Sequence, residues 1–177
     1  MRASPIFYMP YSYGYFKREF FEHLFDNFNI GIEILDVGPG SGSYGILLSE
    51  AFDNVDCIEI HKLYRYQFQL DDVYRNVYIG DINDFDYGNY DFLILGDVLE
   101  HMSVEVAQKL ITEITNKAIY CMVAVPYCME QGAVGGNVYE THLQADLTHQ
   151  IFLERYPQMR LLFKNHEYGY YVNYDFI

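Results

Sequence analysis

The chain has 177 residues, 51% of them apolar and 20% charged, which excludes a disordered segment and leaves room for one buried core rather than two. Its 25 acidic residues against 11 basic ones give a net charge of −14, with no Lys/Arg cluster, so neither nucleic acid nor an anionic membrane surface is an expected partner. No apolar run reaches the roughly eighteen residues of a membrane span. The start, Met1-Arg2-Ala3-Ser4-Pro5, lacks the apolar stretch of a secretory signal, so a cytoplasmic protein is expected.

Residues 6–15 are aromatic and turn-rich. From Tyr15 to Phe28 the apolar residues Phe16, Phe20, Phe21, Leu24, Phe25 and Phe28 recur at helical spacing, and Asn29 and Gly31 stop the helix. Ile32–Val37 reads as a strand and Ser43–Ala51 as a helix with Tyr44, Leu47 and Leu48 inward. Val55–Ile60 is a second strand, Lys62–Tyr74 a helix, and Asn76–Ile79 a short third strand leading into Gly80-Asp81. A turn-rich loop, 84–89, precedes the fourth strand, Tyr90–Leu95. Ser103 opens a helix to about Asn116, on which Val106, Leu110 and Ile114 are spaced by four.

Ala118–Val125 is a fifth strand, stopped by Pro126. Residues 127–145, with Gly132, Gly135 and Gly136, form a long loop. Thr148–Tyr156 is helical, and Met159–Phe163 with Tyr168–Phe176 make a final strand pair, whose alternating tyrosines predict one buried face. Strands alternating with helices predict a doubly wound three-layer α/β/α sandwich: a mostly parallel seven-stranded sheet with an antiparallel C-terminal edge hairpin. One domain covers 1–177, divided into an N-terminal helical cap (1–30), a cofactor-binding half (31–126) and a closing segment (127–177).

The three cysteines, Cys57, Cys121 and Cys128, contain no CxxC spacing, so neither a disulfide framework nor a zinc knuckle is indicated and no metal is expected. Cys57 and Cys121 lie in apolar runs and read as buried. Cys128 has no basic neighbour in sequence to lower its pKa, which argues against a nucleophile.

Ligands of such sheets bind at the carboxyl ends of the strands. Four strand exits in succession carry an acid: Asp36, Glu59, Asp81 and Asp97. Asp36 leads into a glycine turn, Gly38-Pro39-Gly40-Ser41-Gly42, whose backbone N–H groups at a helix start suit a nucleotide-like ligand. A carboxylate at the Glu59 exit can accept hydrogen bonds from ribose hydroxyls, and Asp81 lies where an adenine amino group could donate. The alternative for each acid is a helix cap. Gly40-Ser41-Gly42-Ser43-Tyr44-Gly45 also satisfies GxGxxG, which admits a nicotinamide or flavin enzyme. Against that reading, Asp36 would repel a pyrophosphate but attract a cationic amino-acid end, and the chain is short for a dehydrogenase's second half.

Ile34-Leu35-Asp36-Val37-Gly38-Pro39-Gly40-Ser41-Gly42, then Glu59, Gly80-Asp81-Ile82 and Tyr90-Asp91-Phe92-Leu93-Ile94-Leu95-Gly96-Asp97-Val98-Leu99-Glu100-His101-Met102, resemble the successive motifs of the class I S-adenosylmethionine-dependent methyltransferases. The resemblance spans residues 31–126. It implies a methyl donor held at its methionine end by Asp36, Gly38 and Gly40, with Gly42 of the same turn also in the cofactor site, at the ribose by Glu59, and at the adenine by Asp81 and Ile82. Asp97 and Leu99 would line the floor beside the sulfonium.

Methyl transfer needs a general base only if the acceptor carries a proton at neutral pH. His101 follows the fourth strand, and His142 stands near Glu140, a neighbour that could raise its basicity. Tyr127, at the fifth strand's exit, could touch the acceptor, whereas His61 lies nearer the ribose. The expected activity is methylation of an O or N atom of a small-molecule acceptor by S-adenosylmethionine in a monomer or homodimer. The alternatives are an NAD(P)-dependent oxidoreductase and a non-catalytic donor-binding module.

Overall fold

A computed structural model describes residues 14–175; most of the aromatic N-terminal stretch, and Phe176, lie outside them. Seven strands form one sheet: β1 (Ile34–Val37), β2 (Val55–Glu59), β3 (Val77–Ile79), β4 (Phe92–Gly96), β5 (Tyr120–Pro126), β6 (Arg160–Lys164) and β7 (Tyr168–Val172). Their order is β3-β2-β1-β4-β5-β7-β6, the first five parallel and the β5–β7 and β7–β6 pairs antiparallel. The helices are α1 (Lys17–Asn27), α2 (Ser43–Leu48), α3 (Leu63–Gln67), α4 (Val104–Asn116) and α5 (His149–Arg155). Among the described residues no helix is long and apolar enough to cross a membrane.

The central strands are apolar throughout because both faces are covered. On β4, Phe92 and Ile94 join Phe20 and Leu24 of α1 and Leu48 of α2 in one core, while Leu93 and Leu95 join Leu110, Ile111 and Ile114 of α4 and Phe152 of α5 in the other. Ser103 caps α4 by accepting the Val106 N–H (3.4 Å), and Thr148 caps α5 by accepting the Ile151 N–H (3.2 Å). Cys57 and Cys121 are buried and Cys128 is exposed.

Two expectations change. The final tyrosine strand does not have one buried face: β7 slots between β5 and β6, so Tyr168 and Tyr170 enter the first core and Tyr171 the second. A tyrosine suits such a place only where its hydroxyl finds a partner. Tyr168 donates to Asp97 (2.6 Å), Tyr170 pairs with Tyr44 (2.7 Å), and Tyr171 pairs with Tyr127 and His149. The 62–74 segment is not one helix either. α3 ends at Gln67, Gln69 takes a left-handed φ of 52°, and a single 3-10 turn (Leu70–Asp72) drops Leu70 and Tyr74 into the core beside the glycine turn. Burying those two side chains there outweighs the helical continuation.

Phe20 is fully buried and touches the rings of Tyr44, Phe92 and Tyr170. Phe20→Ala is expected to destabilise the protein by about 3–5 kcal/mol in urea unfolding. A cost below about 1 kcal/mol would show that α1 is not docked on the sheet.

Candidate functional site

Parallel register brings the exits of β1, β2, β3 and β4 to one edge, and the chain's winding reverses between β1 and β4. A cavity of about 470 Å³ opens there, within the range of small-molecule sites. Its walls come from the glycine turn, the β2, β3 and β4 exits, the segment 100–103 with Val106, and parts of the 127–145 loop, which folds back over the mouth.

Gly38, Gly40 and Gly42 all have left-handed φ (63°, 51° and 76°), a run that residues with a Cβ rarely adopt. Beneath the turn, Tyr74 packs so tightly on Gly45 that a Cβ there would collide with its ring. The Tyr74 hydroxyl accepts the Gly45 N–H (3.1 Å) and donates to Asp36 Oδ2 (2.5 Å), which locks strand, turn and helix together. Tyr74 was not singled out from the sequence, because its contact with Gly45 joins segments about thirty residues apart.

The sequence-expected cofactor residues divide into two groups. Gly38, Gly40, Glu59, Asp81, Ile82 and Asp97 line the cavity. Asp36, Gly42 and Leu99 stand behind it: Asp36 is buried under the turn, Gly42 is the N-cap of α2, and Leu99 belongs to the core. Glu59 accepts the His61 N–H (2.7 Å) and the Gly40 N–H (3.4 Å), so it braces the turn it faces. Asp81 is also a cap, accepting the Asn83 N–H (2.9 Å).

Asp97 has a left-handed φ of 57°, strain of the kind that gathers at functional sites. Its Oδ1 accepts the Tyr168 hydroxyl, whereas Oδ2 has no partner among the described residues, and the same is true of Asp36 Oδ1. Burial raises the Asp36 and Glu59 carboxyls to about 7 and the Asp97 carboxyl to about 6. Lys17 of α1, beside Ser43 and over the Tyr44 ring, supplies opposing charge; burial lowers its own pKa, and Asp97 and Asp36 pull it back up.

His101 and His142 meet at the cavity, with ring centroids 4.8 Å apart. The basicity of His142 runs opposite to expectation, and that of His101 is lowered as well. Burial, then the neighbouring His142, lowers His101 to about 4, and burial lowers His142 despite Glu140. Glu140 instead accepts the Tyr64 hydroxyl (2.8 Å). Tyr127 is not brought to the cavity: its hydroxyl turns under the sheet to Tyr171, against Gly169. Tyr44, Tyr64, Asn137 and Glu100 line the cavity without having been expected there, because loop closure and aromatic packing leave no local spacing signal.

No family model matches the sequence, and no curated protein matches it. Solved structures do match its shape. The magnesium protoporphyrin IX methyltransferase of Synechocystis with bound S-adenosylhomocysteine superposes with a TM-score of 0.64 at 16% identity, over 88% of this chain and 80% of that one. The 1,6-didemethyltoxoflavin-N1-methyltransferase of Burkholderia thailandensis gives 0.65 at 12% identity, over 88% and 76%. The methyltransferase domain of a bacterial CtHen1 gives 0.63 at 16% identity, over 88% and 95%. Two others are larger, and the chain spans 54% and 53% of their length. The strand order, the reversed final strand and these superpositions together give the chain the Rossmann-like fold of the class I S-adenosylmethionine-dependent methyltransferases.

Proposed function

We propose that the chain binds S-adenosylmethionine in this cavity and transfers its methyl group to an O or N atom of a small-molecule acceptor. The observation that carries this reading is the pair of carboxylates at the β1 and β4 exits, Asp36 and Asp97, each with one buried oxygen that lacks a partner among the described residues. Buried carboxyls of this kind need positive charge beside them to ionise. A ligand with an ammonium and a sulfonium meets that demand; a pyrophosphate would worsen it.

In this reading Gly38 and Gly40 meet the methionine end, Asp36 attracts its ammonium from behind the turn, and Gly42 shapes the turn. Glu59 takes the ribose, Asp81 and Ile82 the adenine, and Asp97, backed by Leu99, lies beside the sulfonium. Glu59 can do so while bracing the turn, since a carboxylate oxygen accepts more than one hydrogen bond. When bound, S-adenosylmethionine supplies a methyl group already activated by the sulfonium. The protein's part is then alignment and exclusion of water, by the rigid turn on one side and the 127–145 loop on the other. His101 and His142 are neutral near pH 7 and remain the candidates to handle an acceptor's proton; Tyr127 does not.

Titration of the free protein and its Glu59→Gln variant with S-adenosylhomocysteine checks the donor site. Micromolar binding and a loss of about 1–3 kcal/mol, or 5- to 150-fold, are expected. Binding of NAD in place of S-adenosylhomocysteine would overturn the reading.

Asp36 has its own signature. Its carboxyl ionises near 3.8 when unfolded and at about 7 when folded, so the native state holds the proton more tightly. Its contribution to stability is therefore full below about pH 4 and declines as the pH rises through 7. Asp36→Asn, which keeps an acceptor for Tyr74, is expected to gain on the wild type by a few kcal/mol between pH 5 and 8, while weakening binding of the cationic donor. A stability difference that does not change with pH would show that Asp36 is not held in its protonated form.

A further inference from the structure

The cavity holds a second cluster that the methyl donor does not use. Glu100 and His101 sit on the single 3-10 turn after β4 (Leu99–His101), and His142 comes from the 127–145 loop. One ligating atom from each of the three lies within 4.8 Å of the others. Glu100 is only 1% exposed, yet neither oxygen of its carboxylate has a hydrogen-bond partner among the described residues. A buried carboxylate bare on both oxygens is a costly arrangement that a structural role does not explain.

Everything around that carboxylate is held in place. The Glu100 carbonyl accepts the Leu143 and Gln144 N–H groups (2.7 and 3.0 Å), and the Gln144 side chain donates to the Leu99 and Met102 carbonyls (2.8 and 3.2 Å). The loop carrying His142 is thereby pinned to the turn carrying Glu100 and His101. Both rings are oriented through Nδ1: His101 toward the Thr141 carbonyl (3.3 Å) and His142 toward the Met129 carbonyl (2.8 Å). A carbonyl accepts only from a protonated nitrogen, so this network assigns the proton to Nδ1 and leaves the Nε2 lone pair free on both rings. Imidazoles braced at one nitrogen by a backbone carbonyl are the usual form of metal-ligating histidines.

We propose that Glu100, His101 and His142 bind a divalent cation on the wall of the cavity. One carboxylate and two imidazoles suit borderline ions such as Zn²⁺, Mn²⁺ or Fe²⁺ better than Ca²⁺ or Mg²⁺, which favour all-oxygen shells. Bonds of about 2.1 Å place ligand atoms roughly 3–4 Å apart, so side-chain rotations suffice to close the site. Three protein ligands beside an open cavity leave coordination positions for an oxygen of the acceptor. A histidine that ligates a cation is no longer a free base, so the cation would replace both histidines in that role. The inference stands apart from the donor reading, because a cation can be detected on the protein alone.

The full chain, stripped of metal with a chelator, would be titrated by calorimetry with Mn²⁺, Zn²⁺ and Co²⁺ separately. One equivalent of at least one ion is expected, with a melting temperature that rises with ion concentration above the dissociation constant. A bound Co²⁺ should show d–d absorption without a thiolate charge-transfer band, which separates this site from the exposed Cys128. His142→Ala and the near-isosteric Glu100→Gln should each weaken binding by about 100-fold or more. Metal-free Glu100→Gln should melt no lower than the metal-free wild type, since it removes a bare buried carboxylate. Absence of saturable binding of all three ions to the wild type would overturn the proposal, and so would unchanged affinity in both variants. Titrating the metal-free protein with S-adenosylhomocysteine reports separately on the donor site, so the two readings can fail independently.

Discussion

Several carboxylates are buried at one end of the sheet with their charge only partly matched, and the rest of the structure answers to that constraint. Glu59, Asp97 and Glu100 line a single cavity and Asp36 is buried just behind it; Asp36, Glu59 and Glu100 are almost wholly shielded from solvent. Among the described residues their hydrogen-bond donors are few and neutral: Tyr74 for Asp36, Tyr168 for Asp97, backbone N–H groups for Glu59, and none for the Glu100 side chain. Asp56 offers an internal contrast. It is equally buried, yet Arg75 grips both its oxygens (2.8 and 2.9 Å) while Tyr90 and Asn76 complete its shell. Burial pushes Asp56 up, but those bonds outweigh it and leave the group below the ordinary aspartate value. One protein thus contains a buried acid satisfied for structure and others left open toward a cavity.

The unusual aromatic content follows from the same constraint. The sequence has nineteen tyrosines and no tryptophan, and the buried ones among the described residues let rings fill the core while hydroxyls reach polar groups that a phenylalanine would strand. Tyr74 reaches Asp36 and the turn, Tyr168 reaches Asp97, and the Tyr44–Tyr170 pair links α2 to β7. Two of these contacts depend on a missing side chain opposite: Tyr74 lies on Gly45 and Tyr44 on Gly96. The third glycine of the GxGxxG pattern therefore serves aromatic packing rather than a phosphate, which is why the pattern alone is a poor guide to the ligand.

The cavity has two regions of different chemistry. The glycine turn and the exits of β2, β3 and β4 make an anionic seat suited to a cationic nucleoside. Across from it, the 127–145 loop is fastened to the Leu99–His101 turn by Gln144, and that fastening brings His142 against His101 and Glu100. A loop rich in glycine is ordered here because its backbone groups find fixed partners on a rigid turn, not because of its own propensity.

The doubly wound sheet, the turn after β1 and the acids at the strand exits were legible in the sequence, because hydrophobic period, glycine spacing and strand ends are local properties. So was the cap Ser103, which needs only a side chain and the next turn. The break of the 62–74 helix at Gln69 was not, since it depends on how deeply Leu70 and Tyr74 can be buried under a turn thirty residues earlier in the chain. Nor was the double burial of β7, which follows from its insertion between two other strands. Tyr127 and His142 show the limit most clearly. Both occupy the segment after β5, yet packing turns one hydroxyl under the sheet and brings the other ring into the cavity. The sequence by itself determined which strand exits share one end of the sheet and that acids stand at them. Only the tertiary structure decided which side chains from distant loops face the cavity, because long-range packing, and not spacing along the chain, sets their direction.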